Sequence, residues 1–398
     1  MNTDSLATTL VPRSPPGLWT SLAVLLTGCA GGMAPDSAEL TDDELEAVLA
    51  LSPLPELPAD PTNSVADDPA AAQLGQWLFF DTGLSSDGAV SCDSCHDPEH
   101  AFSDTEALSE TLGTTERHSP SLLYTAYNDW FFWDGRCDTH WCQALGPMEH
   151  PAEMGSNRLA IAHHLHQDEA LNEAYTEIFG ALPDLSDSTR FPPEGRPVPE
   201  DASDPLDQAW SSMEADDRQA VNVLFSNVGK AMAAYERTLL PVDEAPFDAW
   251  VTAIAEGDPG GGDWLSSSAV EGLQLFLGEG QCHFCHSGPL FTNGEFHNIG
   301  LASRDGLDPA DTGRFEGISS LLDNAFNGAG DYSDDPDWGS LKVDHLALAE
   351  EQLGQFKVPS LRTTAASPPY MHGGHFETLA EVVEYYSELD ETPSIGHR

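Results

Sequence analysis

The sequence predicts a mainly α-helical protein that contains two domains of similar construction. Two observations support this prediction. The pattern Cys-x-x-Cys-His occurs at residues 92–96 and again at residues 282–286. A short apolar segment with helical spacing precedes each copy, at residues 75–80 and 272–277. A unit that is duplicated in this way indicates two modules, each of which packs a helix against its own copy of the pattern.

Each pentapeptide has the composition of a c-type haem attachment site. Its two thiols are spaced to form thioethers with the haem vinyl groups, and the imidazole that follows can ligate the iron. We therefore expect two covalently bound c-type haems. A zinc knuckle is disfavoured, because neither pair has the neighbours of a zinc ribbon and His directly follows each pair. The predicted haem-binding residues are Cys92, Cys95, His96, Cys282, Cys285 and His286.

The N-terminal residues have the features of an exported lipoprotein. Residues 18–26 form an apolar run of signal-peptide length, too short to span a bilayer. Residues 26–29 then resemble a bacterial lipobox that ends in Cys29, although Arg13 is the only basic residue before the run. We expect periplasmic localisation and a lipid anchor as the only membrane attachment.

The remaining chain divides by composition and hydrophobic periodicity. Helical patterns cover residues 157–180 and 218–240, whereas residues 183–207 and 327–339 have the composition of loops and residues 257–263 that of a hinge. The predicted organisation is a signal peptide at 1–29, a tether at 30–64, an N-terminal haem domain at 65–240 and a C-terminal haem domain at 241–398.

Acidic residues dominate the composition, with 67 Asp and Glu against 15 Lys and Arg and a formal net charge of −52. A field of this sign repels nucleic acids and anionic membrane surfaces. It would attract a basic partner or keep the protein soluble in salt, and we favour the second interpretation. The few arginines, among them Arg136, Arg237 and Arg362, are candidates for haem propionate partners or buried ion pairs.

Two cysteines lie outside the haem motifs and the lipobox. Cys137 and Cys142 can form a short-loop disulfide in an oxidising compartment. Free thiols are the alternative, because positions i and i+5 of one helix have poor disulfide geometry.

Further motifs give the chain a family resemblance from about Leu74 to Tyr386. They include Leu-Phe-Phe-Asp before the first haem motif, Phe-Trp-Asp-Gly-Arg and Phe-Lys-Val-Pro-Ser-Leu-Arg. Their number and order resemble the bacterial dihaem cytochrome c peroxidase superfamily, and within it the MauG-like branch that includes the dihaem enzyme of methanobactin biosynthesis. The motifs lie at residues 78–81, 132–136, 143–147, 153–154, 234–238, 356–362, 369–374 and 378–383.

The resemblance implies that the haem on His96, called haem one, reacts with peroxide. The loop at residues 106–116 contains no His or Met, so we expect an open sixth position on its iron; His118 and His100 are the nearest alternatives as ligands. By similarity, Gln143 and Glu153 line the distal pocket. Glu153 would move a proton from the inner to the outer peroxide oxygen, so that water leaves; its alternative is a surface carboxylate.

The resemblance implies electron storage at the haem on His286, called haem two. The position that holds an axial Met in the peroxidases is Tyr386 here, which is the mark of the MauG-like branch. An anionic phenolate stabilises oxidised iron, whereas a thioether favours reduced iron. The alternatives are that Tyr385 or Tyr386 only packs on the haem, or that Met371 is the ligand.

The tryptophan that lies between the two haems in this superfamily corresponds to Trp133. Its indole would relay electrons, so that Trp133→Phe would uncouple the haems. A buried structural tryptophan is the alternative.

Three departures from the family pattern affect cofactors and boundaries. The positions that hold calcium between the haems are His118, Ser367 and Pro369 here, and imidazole is a poor ligand for a hard cation, so the sequence disfavours calcium. The usual His-Asp-Gly has become His-Gly-Gly at residues 372–374. The resemblance also implies a helix beyond Arg398, so we expect either a truncated sequence or a missing helix.

The predicted function is that of a dihaem oxidoreductase that reacts with hydrogen peroxide and oxidises a partner protein, at a tryptophan residue, by long-range electron transfer. One alternative is a peroxide-detoxifying peroxidase supplied with electrons by a small redox protein, against which Tyr386 argues. Another is a dihaem electron carrier without catalytic activity, against which the open position at haem one argues.

Overall fold

Helices account for most of the regular structure in the computed structural model, which describes residues 40–241, 245–301, 304 and 311–389. The helices of the first half are α1 (Asp42–Leu49), α2 (Pro69–Phe79), α3 (His140–Glu149), α4 (Arg158–Gln167), α5 (Glu169–Phe179), α6 (Pro205–Ser212) and α7 (Ala215–Glu236). The second half contributes α8 (Pro246–Ala255), α9 (Ser267–Leu277), α10 (Arg314–Asp323), α11 (Pro336–Val343) and α12 (Leu379–Glu388). Strands β1 (Phe296–His297) and β2 (Phe356–Lys357) pair antiparallel. This content confirms the prediction of a mainly α-helical protein.

In the described part of the chain, no helix combines the length and the apolar character that membrane crossing needs.

The largest core forms where α7 crosses α2 and α3. The predicted apolar stripe of α7 is buried there, including Val221, Leu224, Phe225 and Val228. Gly75 of α2 permits the close approach of the two helices, because a Cβ at this position would lie 1.9 Å from the carbonyl oxygen of Ala231. The crossing therefore depends on a residue without a side chain.

The structure differs from the sequence prediction at several boundaries. The helical pattern at 157–180 is two helices, because Asp168 ends α4 and caps α5 by accepting hydrogen bonds from the backbone of its first turn. The predicted surface loop at 183–207 is anchored on the core by Leu185, Phe191 and Val198, which are buried.

The residues predicted as a tether are packed from α1 onward. Val48 of α1 is fully buried against Trp250 and Val251 of α8. Farther along, the Asn63 side chain donates a 3.0 Å hydrogen bond to the backbone of Lys230 in α7. Apolar burial thus holds this segment on the protein. The signal peptide and the first part of the tether lie outside the described residues.

One segment of the second half packs on the first half. Phe326, between α10 and α11, belongs to the core around α7, and the Tyr332 hydroxyl donates to Gln219 of α7 over 2.8 Å. Arg314 of α10 donates to the backbone oxygens of Asp134 and Gly135. The predicted domain boundary near residue 240 stays a prediction, but elements from both sides of it interleave.

The disulfide between Cys137 and Cys142 is formed, with Cα atoms 5.7 Å apart. Cys137 precedes α3 and Cys142 lies in its first turn. The geometric objection to a disulfide inside one helix therefore does not apply.

The two halves repeat each other beyond the haem motifs. An antiparallel bridge joins Phe131 to Cys137 in the first half, and the same bridge joins Tyr370 to Phe376 in the second. Both bridges precede a helix, α3 or α12, that a Thr side chain caps. Within this segment the equivalent positions are all separated by the same number of residues, which indicates a structural repeat; the haem motifs themselves are closer to each other in sequence. The other equivalent pairs with matching backbone geometry are Tyr124 and Thr363, Phe132 and Met371, Gly135 and Gly374, and Thr139 and Thr378.

Two equivalent backbone hydrogen bonds connect the repeats to each other. The His118 amide donates to the His372 carbonyl over 2.8 Å, and the Lys357 amide donates to the Trp133 carbonyl over 2.7 Å. His118 is equivalent to Lys357 and Trp133 to His372 in the repeat. The halves are thus related by a pseudo-twofold axis that passes close to Trp133 and His372.

Candidate functional site

The two Cys-x-x-Cys-His motifs adopt the same local fold. Each begins with a single 3₁₀ turn, at Cys92–Ser94 and Cys282–Phe284. In both motifs the His amide donates to the first Cys carbonyl, over 3.0 Å in the first and 2.9 Å in the second. Both thiols and the imidazole of each motif are thereby held on one short loop.

The imidazole of each motif is oriented by a backbone carbonyl in the loop that follows. His96 Nδ1 lies 3.1 Å from the Phe102 carbonyl oxygen, and His286 Nδ1 lies 2.8 Å from that of Phe291. Because a carbonyl only accepts, Nδ1 carries the proton, and the Nε2 lone pair remains available for iron. Phe102 and Phe291 both have positive φ, 55° and 52°, a strained conformation that is typical of functional sites.

The thiols of the first motif lie in a desolvated environment. Burial raises the pKa of Cys95 to about 11 and raises that of Cys92 above its ordinary value. Zinc binds the thiolate. No cluster of three or more His, Cys, Asp or Glu side chains that could hold a metal ion occurs within the described ranges. The raised pKa of both thiols disfavours the thiolate form that zinc requires.

A cavity of about 50 Å³ lies beside the first motif. It is smaller than a typical cofactor site. Cys92, Cys95 and His96 line one part of its wall, and Gln143 and Glu153 line another. Two thiols and an available imidazole nitrogen in one part of the wall are the groups that attach a haem covalently and ligate its iron.

Gln143 and Glu153 reach this cavity from opposite ends of the α3 region. Gln143 lies in the second turn of α3, whereas Glu153 follows the helix in a turn. The Thr111 hydroxyl donates to the Glu153 backbone oxygen over 3.1 Å, and His150 Nδ1 lies 3.2 Å from the Glu153 carboxylate. An amide donor and a carboxylate therefore share the cavity with the haem-attachment residues.

The alternative ligands for haem one do not line this cavity. His118 is buried, and its ring nitrogens lie near the Ser103 hydroxyl and the Glu106 carbonyl, at 3.4 Å and 3.1 Å. His100 is at the surface and pairs with Asp97. Neither side chain lines the cavity that Gln143 lines.

The calcium positions fit calcium poorly. The His118 ring is used in the hydrogen bonds just described, and its amide donates to the His372 carbonyl. Imidazole is in any case a poor ligand for Ca²⁺.

Trp133 lies where the repeats meet. Its indole Nε1 donates to the His118 carbonyl over 2.9 Å. Its ring packs edge-to-face on His372, with ring centroids 6.4 Å apart, and His372 in turn stacks on Phe356 at 3.7 Å. The indole thus contacts the loop that follows the first haem motif and a motif of the second half.

The two tyrosines near the second haem motif have different surroundings. The Tyr385 hydroxyl donates to the Ile299 carbonyl over 2.9 Å. Tyr386 is 45% exposed, and partial desolvation raises its pKa to about 12, with further contributions from Tyr385 and from the thiols Cys285 and Cys282. In the structural repeat, Tyr386 of α12 is equivalent to Pro147 of α3, which lines the haem one cavity. Tyr386 therefore occupies, in the second half, the position whose equivalent in the first half lines the haem one cavity.

Met371 has a different position. Its φ is 72°, and it is equivalent in the repeat to Phe132, which also has positive φ. It precedes α12, the helix that carries Tyr386.

The arginines in the motifs form ion pairs. Arg237 and Arg362 are almost fully buried and pair with Asp67 and Asp248. Arg136 pairs with Asp134 at 3.1 Å.

Sequence reasoning gave no role to two further pairs. Arg117 joins Asp134 to Asp311, and His140 lies 2.6 Å from Glu236 in the cavity wall. Glu236 belongs to the family motif at residues 234–238, and this was the only sequence signal for either pair.

Comparison with known proteins agrees with this geometry. The family model described as di-haem cytochrome c peroxidase matches residues 69–256. Cytochrome-c peroxidase IdrP2 of Pseudomonas sp. (strain SCT) is 31% identical over 349 residues, which cover 86% of this chain and 77% of that protein. Methylamine utilization protein MauG of Methylorubrum extorquens is 28% identical over 378 residues, which cover 94% and 84%. The dihaem peroxidase BthA from Burkholderia thailandensis superimposes with a TM-score of 0.57 at 25% identity, covering 82% and 74%.

Proposed function

Because this chain belongs to the di-haem cytochrome c peroxidase family, in its MauG-like superfamily, we propose that it reacts with hydrogen peroxide at haem one and oxidises a tryptophan residue of a partner protein. Peroxidase-type oxidoreductase chemistry and haem cofactors follow from family membership. The choice of a protein as the substrate, and of tryptophan as the residue, is the proposal.

The haem iron, when bound, supplies the peroxide-binding site and stores oxidising equivalents. Cys92 and Cys95 would attach the first haem, and His96 Nε2 would ligate its iron. From another part of the cavity wall, the Gln143 amide can donate a hydrogen bond to the peroxide. The Glu153 carboxylate can hold the proton of the inner oxygen and deliver it to the outer oxygen, so that water leaves.

One observation favours protein oxidation over peroxide detoxification. It is the position of Tyr386 on α12, which is equivalent in the repeat to Pro147, a residue that lines the cavity at haem one. A Tyr386 phenolate on the iron of haem two would favour the oxidised state. Haem two would then share an oxidising equivalent with haem one instead of supplying a stored electron. Trp133 would relay the charge, since its ring contacts elements of both halves.

Peroxide detoxification is the second candidate function. This function is favoured by the 31% sequence identity between this chain and cytochrome-c peroxidase IdrP2. In that function haem two would be reduced first, and an external redox protein would supply the electron.

The experiment that tests the proposal uses the fully oxidised protein with both haems bound. One equivalent of peroxide is added, and the optical and electron paramagnetic resonance (EPR) spectra are followed. We expect both ferric signals to be lost without any reductant. No reaction until one electron has been added would overturn the proposal and favour detoxification.

A pair of variants makes this experiment specific for Tyr386. Tyr386→Met should create the thioether ligand and make the reaction depend on prior reduction. Tyr385→Phe is the matched control, because its hydroxyl is used in the hydrogen bond to Ile299; it should react as the wild type does.

We also propose a periplasmic, lipid-anchored protein, on the lipobox that ends in Cys29. The partner is then an exported protein.

A further inference from the structure

A buried carboxylate beside haem one has no role in the chemistry above. Glu236 is the last residue of α7, and it is 5% exposed. It lines the same cavity as Cys92, Cys95 and His96. Its charge acts on Cys92, where it contributes to raising the thiol pKa after burial itself. A carboxylate is thus held near the point where the haem would be attached.

The partner of Glu236 is an equally buried imidazole. His140, the first residue of α3, is 4% exposed, and its Nε2 lies 2.6 Å from Glu236 Oε2. The ring stacks on Phe131, with centroids 4.9 Å apart. Among the ion pairs of residues 40–241, 245–301, 304 and 311–389, Glu236 takes part only in this one.

The hydrogen bonds of His140 indicate its protonation state. Its second nitrogen, Nδ1, is buried and has no hydrogen-bond partner within the described part of the protein. An imidazolium would place an unpaired N–H donor there, which is costly in a buried site. A neutral imidazole needs one proton, which Nε2 donates to Glu236. The pair therefore carries one net negative charge, on the Glu236 carboxylate.

Two features stabilise that charge without cancelling it. The His140 N–H donates to the carboxylate, and the N-terminal end of α3, where His140 begins the helix, has a positive partial charge. Neither adds a full positive charge. The carboxylate consequently remains an anion in a low-dielectric wall of the haem one cavity.

We propose that Glu236, held by His140, is a positioning residue that sets the reduction potential of haem one and keeps its iron oxidised. A nearby anion stabilises the more positive iron state, and it does so more strongly in a low dielectric than in water. The proposal deepens the function proposed above, because an oxidised haem one with an open position is what would meet the peroxide.

The test is a spectroelectrochemical titration of the protein with both haems, in which haem two serves as an internal reference. Glu236→Gln removes the charge and keeps the size and a hydrogen-bond acceptor for His140. We expect the ferric-to-ferrous equilibrium of haem one to shift at least tenfold toward ferrous, which is about 59 mV for one electron. Haem two should shift much less.

Three further variants separate charge from structure. Glu236→Asp retains the charge, so the potential of haem one should stay close to that of the wild type. His140→Gln replaces one neutral hydrogen-bond donor by another, so the potential should again stay close to the wild-type value. Glu99→Gln removes a charge at an exposed position near His96, and its small effect should disappear at high salt, because solvent and ions screen it.

The result that would overturn the proposal is a Glu236→Gln protein with a normal melting temperature and an unchanged haem one potential. Equal shifts in Glu236→Gln and Glu236→Asp would also overturn it, since the cause would then be packing. If Glu236→Gln does not fold, the double variant Glu236→Met/His140→Phe removes both polar groups together, leaves none unpaired, and should show the same shift. No peroxide is used, so failure of this proposal is distinguishable from failure of the proposed function.

Discussion

Arg117 ties the two halves of the protein together, and its replacement by Gln should be strongly destabilising. Its Nη1 lies 2.5 Å from Asp134 Oδ2, and its Nε and Nη2 lie 2.7 Å and 2.8 Å from the two carboxylate oxygens of Asp311. Asp134 is 5% exposed. Removing one partner of a buried ion pair typically costs about 3–5 kcal/mol of unfolding free energy.

The lower end of that range applies here. Arg136 also pairs with Asp134, and this ion pair would remain after the substitution. Asp311 is partly exposed to solvent, which screens its charge. We therefore expect a loss of about 3 kcal/mol, equivalent to about 4 °C in melting temperature for a chain of this length. Arg117→Lys keeps the charge but loses the bidentate contact with Asp311. Its melting temperature should lie between those of the wild type and Arg117→Gln.

The pH dependence of this loss tests its electrostatic origin. Burial alone would raise the pKa of Asp134, but Arg136 and Arg117 hold it below the ordinary value; the hydrogen bond and charge of Arg117 do the same for Asp311. A carboxyl with a lowered folded-state pKa stabilises the fold above its unfolded pKa of about 3.9, and this stabilisation is lost as the pH falls through the lowered value.

The measurement is thermal unfolding of the haem-loaded proteins between pH 7 and pH 3, followed by circular dichroism. The difference between wild type and Arg117→Gln should be constant near neutrality and shrink in acid. A difference below about 1 °C at pH 7, or one that is unchanged at the lowest pH, would refute the reasoning.

Two further predictions concern electron transfer and localisation. Trp133→Phe removes the 2.9 Å hydrogen bond to the His118 carbonyl and the oxidisable indole. It should lower the free energy of unfolding by about 1 kcal/mol. In EPR spectra recorded after peroxide is added, haem two of this variant should remain ferric. Simultaneous changes at both haems, as in the wild type, would exclude Trp133 as the relay. Cys29→Ser should move the protein from the membrane fraction to the soluble periplasmic fraction; retention in the membrane fraction would argue against the lipid anchor.

The haem-attachment loops could be predicted from sequence because all their information is local. Five consecutive residues supply two thiols and an imidazole, and a single turn brings them together. The placement of Gln143 and Glu153 in the cavity of the first loop was also expected, although only by resemblance. Their roles in peroxide chemistry remain predictions.

The continuation of the repeat was not predictable in the same way. Trp133 and His372 are equivalent and in contact, yet they share neither size nor chemistry, so sequence comparison of the halves gives no signal. What the repeat preserves is backbone geometry, such as the bridges at Phe131 and Tyr370 and the positive φ of the residue that follows each. Such geometry tolerates different side chains.

The Glu236–His140 pair escaped prediction for a different reason. Its members are widely separated in sequence, and Glu236 is one of 67 acidic residues. Only the packing of α7 on α3 shows which carboxylate is buried. The same holds for Arg117 and Asp311, because no local pattern indicates that a long connection will bring them together.

A symmetric scaffold explains how one chain could hold two haems with different reactivity. Helices α3 and α12 occupy equivalent positions, so the residue on each that faces its haem would decide whether the iron is open or closed. That residue is Pro147 in the first half, which has no atom that can ligate iron, and Tyr386 in the second, which has a phenolate oxygen when deprotonated. The partial desolvation that raises the pKa of Tyr386 to about 12 favours the neutral phenol, so iron would have to displace the proton, as metal ions do with other acidic ligands. On this reasoning, exchanging a single side chain at one position of the repeat accounts for the proposed division between a peroxide-binding haem and a charge-storing haem.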